Sequence, residues 1–161
     1  MKSVPAVILD RRLVLTGNVT VDRLKALIEI RGTLQFELEV VQSLIDTGRI
    51  AEAADCLAQD AGREIILALI QNPDFSKRLS ALVVIEKALD DKPDVVRTLV
   101  PSLVAMLRHT DSRIRGDVAD LLGKIGDPRV IAQLEPLIAD PDPDVGEAAA
   151  EAIAELRKLC P

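Results

Sequence analysis

Few residues in this chain carry obvious chemistry. The run Asp140-Pro-Asp-Pro-Asp144 sets three carboxylates within five positions, a density that suits a hard cation such as calcium. Its two prolines stiffen it, and the glycine that turns an EF-hand loop is missing, so the expected role is a turn followed by a helix cap. His109 is the one histidine, so a single chain can assemble neither a histidine metal cluster nor a nucleophile paired with a histidine base. It falls at the end of a helical run, where a cation is favourable, and that is its expected use. Cys56 shares an apolar face with Ala53 and Leu57 and reads as a buried, inert thiol. Cys160, near the chain end, reads as exposed. The two form no CxxC pair, which points to reduced thiols in a cytoplasmic protein. Gly17-Asn18 is too sparse for a phosphate loop. Arg78 and Arg115 are expected to pair with Asp74 and Asp111. No catalytic residue, metal site or cofactor is expected from these patterns.

The elements that hold these residues repeat. Leu103-x-x-Met106-Leu107 leads to Asp111-x-x-Ile114-Arg115, and thirty-one positions on Leu134-x-x-Leu137-Ile138 leads to Asp142-x-x-Val145-Gly146. An earlier copy, Ile66-x-x-Leu69-Ile70 leading to Asp74 and Arg78, is displaced by 37 positions. A helix end, an Asp-bearing turn and a new helix, three times over, mark a solenoid. The predicted helices are 75–89 (burying Leu82, Ile85 and Leu89), 93–108, 112–125, 128–139 and 143–158. Gly126 ends the third, and Asp127-Pro128 and Asp142-Pro143 cap the next two. Pro101 and Pro136 fall inside helices and predict kinks. Upstream, Thr33 to Gln59 is helical: Leu34, Leu38, Val41, Leu44 and Ile45 form one face, a break follows at Asp46-Thr47-Gly48, and Ile50, Ala53, Ala54 and Leu57 form another. Gly62 opens a helix whose stripe is Ile65, Ile66, Leu69 and Ile70.

Composition narrows the function classes. A hydrophobic content of 48% with two Phe and no Trp or Tyr gives an aliphatic core of closely packed helices. Residues 1–32 carry six basic and three acidic groups, a net +3 inside a chain of net −6, which leaves −9 for the rest. An acidic body almost without aromatics argues against nucleic acid, which takes basic grooves and stacking rings. No apolar run approaches the roughly 20 residues of a membrane span, so no membrane partner is expected.

Residues 1–32 read differently from the rest. Ala6-Val-Ile-Leu9 and Leu13-Val-Leu15 suit a hairpin around the polar turn Asp10-Arg11-Arg12. Thr20 offers an N-cap to a helix with the stripe Leu24, Leu27 and Ile28, and Gly32 stands at its stop. Ser3-Val4-Pro5, the two strands, Gly17 and the helix from about Val21 resemble the C-terminal half of a thioredoxin- or glutaredoxin-like domain, over about residues 3–31. The resemblance implies that Pro5 takes the family's cis-proline position facing the redox cysteines. The strand–helix unit with CxxC is absent, so it implies descent from a redox fold, and the chain reads as the truncation of a thioredoxin–repeat fusion. A lone two-stranded ribbon is marginal in water. A homodimer through residues 1–32 is therefore expected, the other outcome being a hairpin folded back on the first repeat helices.

The repeats resemble HEAT repeats of the short kind found in phycobilisome lyases, over about 66–156. Asp111, Ile114, Arg115, Leu121, Leu122, Gly123, Ile125, Gly126 and Asp127 fit the pattern Asp-x-x-Val-Arg-x-x-Ala-x-x-Ala-Leu-Gly-x-Ile-Gly-Asp, and Gly146 departs from it where arginine belongs. The expected fold is mainly α: an α-solenoid of HEAT-like repeats over 33–161, preceded by a β-hairpin plus helix over 1–32. The expected function is a non-catalytic protein-interaction adaptor with an unknown protein partner. Solenoids bind on the concave side lined by the second helices of successive repeats. Polar residues there that repeat at spacing 31, Thr98 with Arg129 and Ser102 with Gln133, are the candidate partner-binding stripe. Two other readings stay open: a redox-associated fusion protein, and, by resemblance alone, a lyase-like or chromophore-handling protein.

Overall fold

A computed structural model describes residues 6–10, 12–16 and 19–159. The expectations placed on Ser3-Val4-Pro5, Arg11, Gly17-Asn18 and Cys160 lie outside the described residues. The chain divides into two compact units, Met1–Ala68 and Leu69–Pro161.

In the first unit, β1 (Ala6–Leu9) and β2 (Leu13–Thr16) pair antiparallel with Leu9 opposite Leu13. Asp10 opens the turn at φ 51, a left-handed conformation that Asp tolerates better than most side chains. Directly opposed residues share a face, so Val7, Leu9, Leu13 and Leu15 lie together and Ile8 lies on the other side. Leu13 is buried and Ile8 is 60% exposed. β2 packs on α2 (Leu34–Asp46), so the ribbon is folded back on the first long helix. Between them runs α1 (Val21–Glu29), capped by Thr20, whose Oγ1 accepts from the Arg23 N–H at 3.2 Å. Leu27 is the one buried residue of α1, and Ile28 is exposed, so the expected three-residue stripe is narrower than its spacing suggests.

Thr33 caps α2 through the Phe36 N–H. The inward face of α2 is rotated from the expected one. Phe36, Val40, Val41 and Leu44 are buried, Leu34 is exposed, and Leu38 and Ile45 are half-buried. Phe36 decides this: residues four and eight positions on stand on its side of the helix, and turning the ring inward carries Val40 and Leu44 with it. Then come α3 (Ile50–Asp55), a 3₁₀ turn (Cys56–Ala58) and α4 (Asp60–Ile70), in which the unit boundary falls. Ala53, Ala54, Cys56 and Leu57 are buried together as spacing predicts. A side chain on Gly62 would collide with the Cys56 carbonyl, which fixes glycine where α4 leaves that turn.

The second unit contains α5 (Phe75–Asp91), α6 (Pro93–Arg97), α7 (Val100–Met106), α8 (Ser112–Ile125), α9 (Ile131–Leu134) and α10 (Pro143–Lys158). The predicted ends of α8 and α10 are met, with Gly126 at φ 73 closing α8. The helix expected over 93–108 is broken at Thr98–Leu99, just before Pro101. The one expected over 128–139 is a single α turn between 3₁₀ segments Pro128–Val130 and Glu135–Ala139, the latter holding Pro136. Proline donates no backbone bond, and a short 3₁₀ stretch tolerates that loss. Asp127 accepts the Arg129 N–H at 3.1 Å, the cap the sequence promised. On α5 the buried residues are Arg78, Ala81, Val84, Ile85 and Ala88. Leu82 and Leu89, expected inside, are half-buried. α8 packs against α10, and Leu121, Leu122 and Ile125 of the one and Ala149, Ile153 and Leu156 of the other are almost completely buried. The helices approach closely there: a Cβ on Gly123 would come within 2.9 Å of Ala152 Cα.

Candidate functional site

Each turn leading into α5, α8 and α10 is closed by the same side-chain bonds. Asp74, Asp111 and Asp142 cap the helices by accepting the N–H groups of Ser76, Arg113 and Asp144 at 2.8, 3.0 and 3.1 Å. Two positions earlier, Asn72 Oδ1, His109 Nδ1 and Asp140 Oδ1 accept the N–H groups of those same aspartates at 3.0, 3.0 and 2.9 Å. His109 thus serves this turn as a hydrogen-bond acceptor through Nδ1. Asn72, His109 and Asp140 are the same position in successive repeats, spaced by 37 and 31. Three different residue types serve there because all three place an acceptor at similar reach.

The first two turns share a third device. Arg78 Nη1 donates to the Asn72 and Pro73 carbonyls, both at 3.1 Å, and Arg115 Nη1 to the His109 and Thr110 carbonyls at 2.8 and 3.3 Å. Neither arginine hydrogen-bonds to Asp74 or Asp111 as expected, although Asp111 interacts electrostatically with both. Arg78 pairs with Asp117 at 2.8 Å, and Arg115 holds Asp140 through two bonds of 2.8 and 2.6 Å. The cap carboxylates are already engaged: Asp74 and Asp111 by backbone N–H groups, and Asp111 also by Arg113. The Arg113 guanidinium lowers the Asp111 carboxyl to about 2 from its usual 3.8. Arg115 likewise holds Asp140 below the ordinary carboxylate range, and Arg129 does so for Asp127. At the third turn, a Cβ on Gly146 would sit 3.1 Å from the Ile138 carbonyl oxygen, so backbone contact takes the place of the arginine. The carboxylates of Asp140 and Asp142 are thus used in closing this turn. Among the described residues, no group of three or more His, Cys, Asp or Glu could hold a metal ion.

The four candidate partner-binding residues are all exposed. Thr98 Oγ1 donates to the Val95 carbonyl at 2.6 Å, and Arg129 clasps its neighbour Asp127. Gln133 alone lines a groove of about 670 Å³, with Pro101, Val104, Ala105, Ala132 and Pro136. Thr98, Ser102 and Arg129 do not line it. Four groove residues missed by the sequence reading obey the same 31-residue spacing, Pro101 with Ala132 and Ala105 with Pro136. They are alanine or proline and carry no polar group to mark them in the sequence.

In the first unit the functional groups cross-link the fold. Arg12 holds Glu37 through two bonds of 3.1 and 2.7 Å, and its Nη2 lies 3.6 Å from Cys56 Sγ. The pair with Glu37 raises Arg12 above its ordinary value. Cys56 is buried as its spacing implied, and its thiol donates to the Glu52 carbonyl at 3.4 Å.

Helix pairs stacked about capped, arginine-sealed turns define a helical-repeat protein. The HEAT repeat family model matches residues 63–154, more than half of the chain. The chain belongs to the HEAT repeat family. No curated protein matches it.

Proposed function

We propose that this HEAT-repeat chain is a non-catalytic adaptor that binds a protein partner along the groove between α7 and the segment 131–139. The observation that supports this reading is the groove itself. Its lining of Pro101, Val104, Ala105, Leu107, Ala132, Pro136 and Leu137 is apolar, with Gln133 and Arg108 as polar handles. Sites of this character, mostly apolar with few polar groups, are what binding surfaces offer. Ser102 of α7, Thr98 just before α7 and Arg129 just before the segment 131–139, all exposed, are proposed as contacts beyond the groove. Affinity capture from the source extract, with the intact chain and with an Ala105→Arg, Ala132→Arg double variant, tests it. A defined species retained by the first and lost with the second is expected. Identical recovery with both would contradict the groove, and insulin reduction by the purified chain would overturn the non-catalytic reading.

A cytoplasmic setting follows from cysteines read as reduced thiols. Among the described residues, no helix is long and apolar enough to cross a membrane, and no membrane or nucleic-acid partner enters the proposal. Residues 1–32 are proposed as a segment of separate descent from 33–161, and as the site of any homodimer. The exposed Ile8 face of the ribbon supports the latter, since a free ribbon offers apolar surface and an unpaired edge. Sedimentation of the intact chain and of one beginning at Thr33 tests it, and a monomer in both would remove the dimer.

A further inference from the structure

A second groove, of about 440 Å³, lies among α5, α8 and α10 and is lined by different helices from the first. Leu82, Gly116, Val145 and Ala148 line it, and so does Phe75, which is 62% exposed. Phe75 also begins an exposed apolar row with Leu79 and Val83, spaced along one face of α5. One of the chain's two aromatic rings is thus held out beside an apolar depression.

Gly116 is the informative residue. Three glycines lie inside helices of this unit, and glycine there is costly relative to alanine. Packing explains two of them: Gly123 faces Ala152 and Gly146 faces the Ile138 carbonyl, at distances no side chain tolerates without displacement. Gly116 is different. A Cβ there would meet only Val145 Cγ2, at an ordinary 3.8 Å, so the fold itself accepts alanine. The equivalent repeat positions carry Leu79 and Glu147, both exposed. Glycine without an internal reason, on the wall of an open groove, suits close approach by another molecule's backbone or side chain.

The charge around the groove selects the kind of molecule. Arg78 and Asp117 neutralise each other, Arg113 is held by Asp111, and Asp142 caps α10. What is left over is acidic: the Asp144 carboxylate has no partner among the described residues, and Asp120 shares the exposed Lys124 with Glu86. We infer that this groove is a docking surface for a cationic, apolar peptide segment of a partner protein. An aliphatic or aromatic side chain sits over Gly116 between Phe75 and Val145, and a lysine or arginine sits against Asp144 and Asp120. The inference is independent of the proposed groove along α7.

Fluorescence anisotropy of a labelled amphipathic lysine–leucine peptide, titrated with the intact chain, tests it. The expected result is binding that weakens with added salt, as contacts between exposed charges do. Gly116→Leu should weaken binding about tenfold or more, and Asp144→Lys should weaken it in the same direction. Gly116→Ala should fold with a melting temperature at or above that of the parent, which separates the loss of the groove from loss of the fold. Ala132→Arg, in the other groove, should leave binding unchanged. Equal binding by Gly116→Leu, equal binding of a glutamate–leucine peptide, loss of binding on Ala132→Arg alone, or no binding by the parent chain would each overturn the inference.

Discussion

In the unit of residues 69–161, the bonds that close each turn run from a side chain to backbone only a few positions away. In the unit of residues 1–68, the cross-links run from arginine to carboxylate between elements distant in sequence. Arg12 reaches Glu37, Arg23 reaches Glu39 and Arg31 reaches Asp10. The first kind of bond can be copied, because all its parts travel within one short segment. The turns at Asn72–Arg78 and His109–Arg115 are such copies, down to the two carbonyls each arginine satisfies. The second kind depends on how one particular set of elements packs; in the other unit it appears as Arg78 with Asp117 and Arg115 with Asp140, where the same arginines also seal a turn. The two kinds also differ in exposure. Arg78 is 2% exposed, whereas Arg23 and Arg31 are about half-exposed. Exposed pairs contribute little and are screened by salt. A buried guanidinium that satisfies two carbonyls and a carboxylate cannot be removed without leaving those groups unpaired.

Four changes would break or sharpen this contrast. Leu122→Ala should cost about 2–5 kcal/mol through lost burial and a cavity, because Leu122 is fully buried on α8. A loss under about half a kcal/mol on chemical denaturation would place the residue on the surface. Arg78→Met should cost about 3 kcal/mol, since it strands Asp117 and two turn carbonyls. Its cost should persist in high salt, and a cost that vanished there would reduce the turn device to a surface ion pair. Arg12→Met, in the other unit, should cost less than about 1 kcal/mol, with the difference shrinking as salt is added. A large, salt-independent effect would erase the distinction between the units.

The smallest effect is in acid. Asp111 is held at about 2 by Arg113 in the folded chain, against an ordinary 3.8. A carboxylate with a depressed folded value adds stability that is present above the ordinary value and is lost as pH falls through the folded one. The contribution of Asp111 is therefore expected above about pH 4 and fades toward about pH 2. Asp140 and Asp127 shift in the same direction. Asp111→Asn keeps a good helix cap and removes this titration. The melting temperature of the variant should thus fall less steeply between those limits than that of the parent. Parallel curves would show that the Arg113 pair is solvated away.

Sequence was most informative where the cause of a structure is local. Thr20, Asp111, Gly126 and Asp142 mark helix ends through bonds to residues two to four positions away, and each end stands where they put it. Pro101 and Pro136 foretold the two broken helices for the same reason. It was least informative where two faces competed or a partner came from afar. α2 offers two overlapping apolar stripes, and only the presence of Phe36 on one of them decides which turns inward. Arg78 and Arg115 bypass the nearby Asp74 and Asp111 for Asp117 and Asp140, because the nearer carboxylates are occupied by backbone N–H groups. The α7 groove shows a third limit. Its repeat spacing was visible, but its chemistry lies in the small residues and prolines that leave room, and polar side chains mark a groove poorly.

Native-state hydrogen exchange on the intact chain, at low salt and at about 1 M salt where the Debye length is about 3 Å, tests the division most directly. Amides of α8 and α10, in the buried core with its sealed turns, are predicted to exchange slowest and to be indifferent to salt. Those of α1 and the β-ribbon, with Leu27 as the one buried residue of α1, are predicted to exchange fastest and to speed up further as salt screens the arginine pairs. Equal salt acceleration in both units, or slower exchange in α1 than in α8, would contradict it.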